Sequence, residues 1–121
     1  MNSKQIVDRM REINAAIAKR NGGSLIGSYP VTTPPEKQEI NELNMREMII
    51  SIYCYGGRHR LVESMKGQWD SYLFGYVEKI GEERAREIVR EQTDYMDEHA
   101  RIIHNVGTDC EGVSYNSIEW S

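Results

Sequence analysis

The chain has no apolar run near the ~20 residues that a membrane-crossing helix needs. The longest run, from Met48 to Tyr55, is far shorter. The N-terminus has no signal-peptide core; Met1-Asn2-Ser3-Lys4-Gln5 opens directly into an amphipathic pattern. Only two cysteines occur in 121 residues, which fits a reducing compartment and no disulfide framework. These absences lead to the expectation of a cytoplasmic protein with no membrane association. Catalytic signatures are missing as well: there is no Gly-x-Ser-x-Gly elbow, no Walker-type phosphate loop, no dinucleotide fingerprint and no His-Glu-x-x-His. The expectation is therefore a protein that is not an enzyme.

What is present suffices for one domain over residues 1–121, able to bury about two thirds of the surface its unfolded chain exposes. Charged residues make up 28% of the chain and the net charge is −4. That charge is unevenly spread. Residues 1–60 carry a balance of +3 and residues 61–121 a balance of −7. An acidic second half disfavours sequence-independent nucleic-acid binding, which depends on neutralising phosphates. It suits a protein partner with a basic surface.

The periodicity predicts four helices in a mainly α, compact arrangement. Ile6, Met10, Ile13 and Ile17 form the stripe of a first helix over 3–20, capped by Asn2 with Gln5 as the reciprocal partner. Residues 22–33 read as a loop with a short extended piece at 25–29. Thr33-Pro34-Pro35-Glu36 has the form of a capping box with proline at the first helical position, so a second helix starts there and runs to about 55. Its second half is apolar nearly all round, which places it at the centre of the fold. The β-branched content of 48–55 suits a buried strand too, but the unbroken lead from a capped start favours helix.

After Gly56-Gly57, a stripe of Leu61, Met65, Trp69, Leu73 and Val77 predicts a third helix over 58–80. Gly81 separates it from a fourth over 82–105, with Glu82 and Glu83 complementing the dipole of the first turn. The tail, 107–121, changes to a period of two at Val113/Tyr115 and Ile118/Trp120. These pairs are out of phase, which calls for a bulge near Asn116-Ser117. A small two-stranded element formed by 25–29 and 113–120 is one arrangement for this tail; packing of Ile118 and Trp120 on the helices is the other.

Three sets of residues are candidates for function. All cysteines and histidines fall into two windows, Cys54 to His59 and His99 to Cys110. An up-down-up-down bundle brings both windows to one end. Cys54, His59, His104 and Cys110 would then offer two sulfurs and two imidazoles, the donor set of a structural zinc, with His99 as substitute if Cys54 points elsewhere. The spacing matches no familiar zinc knuckle, and a buried cysteine is often only a small hydrophobe. With an open coordination position, and Glu98 or Asp109 as base, the same pole would read as a small metal-dependent hydrolase.

The second set is Gly56, Gly57, Arg58 and Arg60 at a helix N-terminus, an arrangement that suits a nucleotide or another phosphate ligand. The competing explanation is that both arginines pair with carboxylates of the second half.

The third set is a protein-partner surface: the outward carboxylates Glu87, Glu91, Asp94 and Glu98, with Tyr115 and Trp120 as aromatic anchors. This third reading, a small protein-binding module, is the leading expectation. Small acidic helical chains of this kind occur among inhibitor and accessory proteins of mobile elements, anti-CRISPR proteins included. That likeness is one of size and charge and is carried by no residue motif.

Overall fold

A computed structural model describes residues 1–22 and 32–121. The first helix, α1, spans Ser3–Arg20, and both halves of its capping box form: Asn2 accepts from the Gln5 backbone N–H and Gln5 accepts from that of Asn2, each at 2.8 Å. The second, α2, spans Pro34–Cys54. Thr33 and Glu36 satisfy each other's orphan N–H groups at its start. The segment 48–54 is thus helix, not strand.

The helix predicted over 58–80 is two helices, α3 (Arg58–Met65) and α4 (Ser71–Ile80). The apolar stripe is real, since Leu61 and Leu73 are fully buried, but local chemistry interrupts it. Gly67 takes φ +94°. Gln68 N–H donates to Glu63 O and Gly67 N–H to Ser64 O, each at 3.0 Å, the paired bonds of a Schellman motif, whose left-handed position favours glycine. Asp70 then caps α4 by accepting from Tyr72 N–H. Ser64, fully buried, ties the corner by donating to Arg60 O and accepting from Asp70 N–H.

The fifth helix, α5, spans Glu82–His99 and stops six residues before the predicted end. At Ala100 the backbone turns extended and enters strand β1, Ala100–Thr108, paired antiparallel with β2, Ser114–Trp120. The tail is therefore extended as expected, but its partner is the stretch assigned to helix. The partner expected at 25–29 lies outside the described residues. Ile102, Ile103 and Val106 fit a helix stripe and a pleated strand equally well. The long-range pairing decides in favour of the strand.

The register runs from Ala100↔Trp120 to Ile103↔Ser117 and resumes at Gly107↔Tyr115. His104, Asn105 and Val106 thus stand opposite Asn116 alone. The phase break in the tail is resolved by this bulge on the facing strand, where Asn105 takes φ +55°.

Helix α2 sits centrally between two cores. On one side Met45, Ile49 and Ile52 pack with Leu61, Leu73, Ile80, Ala85, Ile88 and Val89 from α3, α4 and α5. On the other, Leu43 and Ile50 pack with Ile6, Ile13 and Ile17 of α1 and with Met96. Ala100, Ile118 and Trp120 cover this second core, so the root of the hairpin belongs to the body of the protein. Among the described residues no helix is long and apolar enough to cross a membrane.

Candidate functional site

The two cysteine/histidine windows are joined by an asparagine. Asn116 accepts from Asn105 N–H in the bulge and donates to Cys54 O at 2.9 Å, satisfying a terminal carbonyl of α2. The Cys54 thiol is buried, and burial raises its pKa. His59 and His104 are exposed, and Cys110 is exposed in the hairpin turn. His99 stacks on Tyr95 with centroids 4.4 Å apart, and its Nδ1 lies 2.8 Å from Ser121 O. Among the described residues, no three His, Cys, Asp or Glu side chains converge as metal ligands. The extended course of β1 carries His104 and Cys110 along the hairpin instead of stacking them on the last turn of a helix.

The glycine-arginine corner has internal partners throughout. Gly57 N–H donates to Ile52 O at 2.8 Å, and a Cβ there would come within 2.5 Å of the Ile52 side chain. Its glycine is required by the close approach of α2. Arg58 grips Asp97 through Nε and Nη2 at 2.9 and 2.7 Å, and Tyr53 donates to the same carboxylate. The hydrogen bonds from Arg58 hold the Asp97 pKa below its ordinary value. Arg60 donates to Asp70 at 2.6 Å. Both arginines have thus found carboxylates of the second half.

The outward carboxylates divide. Glu87 binds Arg84, and Glu91 binds Arg46 at 2.8 Å. Arg84 also reaches Glu42 on α2. Glu91 therefore ties α5 to α2 and Glu87 pairs within α5, while Asp94 and Glu98 face solvent. Of the two aromatics, Tyr115 is exposed and its ring covers Gly107. Trp120 is half-buried on the second core, 6.1 Å from the Tyr95 ring.

A feature that periodicity did not single out lies between α2, α3 and α4. Met48, Ser51, Ile52, Tyr55, Arg60 and Tyr72 line a mostly apolar cleft of about 330 Å³. Tyr55 is 60% exposed and Tyr72 61%. A second depression of about 310 Å³ adjoins it, shares Ser51 and Tyr55, and reaches Asn116, Ile118 and Trp120. Tyr55 is the ridge between them. Its placement follows from the end of α2 at Cys54, which leaves Tyr55 as the C-terminal cap, turned outward beside the glycine corner. Tyr72 occupies the first turn of α4 because Asp70 caps that helix. The signal in the sequence was a pair of tyrosines beside two helix boundaries, and one of those boundaries was hidden under the continuous stripe.

Comparison with models of known protein families, with curated proteins and with solved structures finds no match.

Proposed function

We propose that the protein is a non-enzymatic protein-binding module that docks a partner segment across the double depression centred on Tyr55. The observation that carries this reading is the exposure of Tyr55 and Tyr72 on either side of an apolar floor, Met48 and Ile52. Tyrosine offers a large, rigid contact area with a polar tip, and such residues dominate the energetics of protein interfaces. The shared ridge supports an extended segment as ligand, with an apolar side chain in the first depression and a polar one in the second, which Ser3, Asn116 and Ser117 line. Asp94 and Glu98 remain as a separate acidic rim on α5, suited to a basic part of the same partner.

The test is photocrosslinking in cells with p-benzoylphenylalanine in place of Tyr55, against the same residue in place of Ala15 on the exposed face of α1. A discrete heterologous protein product at position 55 and none at position 15 is the expected result. Equal, diffuse products at both positions would remove the cleft from consideration.

A further inference from the structure

The cleft is apolar on its floor, yet its aromatic wall carries cations on a protein whose net charge is −4. Arg60 lies over the Tyr72 ring at 5.6 Å. One helical turn further along α4, Lys79 lies over Tyr76 at 5.9 Å. Residues four apart share a helix face, so the two cation–aromatic pairs continue one surface from the cleft along α4. Arg60 is held in place by Asp70, whose carboxylate takes the Nε and Nη2 side of the guanidinium. Among the described residues, Nη1 of Arg60 has no acceptor and Lys79 has no carboxylate partner. Arg60 thus keeps one guanidinium nitrogen free beside its ion pair, as Arg58 does, and Lys79 lacks the carboxylate partner that Arg9, Arg46, Arg58 and Arg84 each have.

Resting on the docking reading above, we infer that the segment bound at Tyr55 and Tyr72 is acidic: a large apolar side chain fills the cleft, and flanking carboxylates face Arg60 and Lys79. Charge complementarity selects this ligand over a basic one, which would meet like charge at both positions. The stacked cations also favour it, because an arginine or lysine lying flat on a tyrosine keeps its remaining N–H groups oriented for an incoming carboxylate.

The probe is a short acetylated peptide with Trp-Leu between glutamates, titrated into the isotopically labelled full chain and followed by amide and arginine side-chain resonances. Controls are the same peptide with lysines for glutamates, the acidic peptide with Ala-Ala at its centre, and an oligothymidylate. Saturable shifts at Ser51, Ile52, Tyr55 and Tyr72 are expected with the acidic Trp-Leu peptide only. Raising NaCl from about 0.05 to about 0.5 M weakens that binding. Lys79→Glu, at an exposed position, weakens it roughly two- to fivefold. Tyr55→Ala weakens it roughly tenfold or more, with dispersion of the other resonances retained. Arg60→Gln is avoided as the sole test because Asp70, nearly buried, depends on Arg60 for its partner.

If the lysine peptide occupies the cleft as well as the acidic one, the charge assignment falls and the docking reading stands. Absence of peptide shifts at the cleft, with a discrete crosslinked protein at position 55, has the same consequence. If only the oligothymidylate shifts these resonances, the ligand is a nucleic acid and both readings fall.

Discussion

Helix α5 and the cleft between α2 and α4 present two kinds of surface. On α5 the charges stand out, but most of those near the body are engaged: Glu91 with Arg46, Glu87 with Arg84, and Asp97 with Arg58 and Tyr53. At the cleft the notable groups are tyrosines beside Arg60, and Tyr55 and Tyr72 leave most of their surface to solvent. The Glu91 and Asp97 contacts join α5 to other helices, so removing them should act on stability. The tyrosines join nothing of comparable extent, so removing Tyr55 should act on binding. Charge alone is a weak pointer to a partner surface, because an ion pair within the chain satisfies a carboxylate as well as one across an interface.

Four experiments separate these two surfaces. The largest expected effect is on the inner side of α5. Ile88→Ala opens a cavity in the first core, where Ile88 is fully buried, and should cost about 2–5 kcal/mol in urea unfolding. Next is Gln92, fully buried, which accepts from the Met1 ammonium and from Arg46 and donates to Met1 O. Gln92→Ala strands these groups and should cost about 1–3 kcal/mol. Equality with an exposed α5 control such as Arg90→Ala would show that the clamp contributes nothing.

The third experiment is an acid titration. Arg46 and Arg58 hold Glu91 and Asp97 below their ordinary pKa values, and Arg20 with the Thr33 backbone pushes Glu36 down to about 2. A carboxylate whose folded pKa is depressed contributes stability above its unfolded value and loses it as pH falls through its folded value. Stability should therefore fall from about pH 4.5 towards about pH 2. Replacing Glu91 with Gln and Asp97 with Asn should flatten that slope and lower the plateau above it. An unchanged slope would mean that the α5 ion pairs do not persist in solution.

The smallest effect on stability is expected at the cleft. Tyr55→Ala should change the unfolding free energy by no more than about 0.5 kcal/mol, yet partner capture in the crosslinking assay, now read from position 72, should be lost. A destabilisation matching that of Gln92→Ala would make Tyr55 a packing residue and erase the contrast with α5.

Local signals in the sequence carried far. The caps at Asn2 and Thr33, and the centrality of α2, rest on near neighbours and on composition, and they hold in the structure. The break between α3 and α4 was present in Gly67 and Asp70, but the stripe through Leu61, Met65, Trp69, Leu73 and Val77 masked it. Such a stripe survives a tight corner when both helices face the same core, as Leu61 and Leu73 do. The end of α5 was less legible. Ile102, Ile103 and Val106 suit either period, and nothing within a few residues of Ala100 announces the change. The pairing partner is β2, up to twenty residues away across the hairpin.

The helical class, four of the five helix starts, the extended character of the tail and the central place of α2 were all legible in the chain. They were so because caps, prolines, glycines and apolar periods act over one or two turns of chain. Long-range packing makes 100–108 a strand, brings Arg58 and Arg60 to Asp97 and Asp70, and sets Tyr55 and Tyr72 on either side of one cleft. Each of those outcomes depends on which distant segments come into contact, and no local energy term favours one such contact over its rivals.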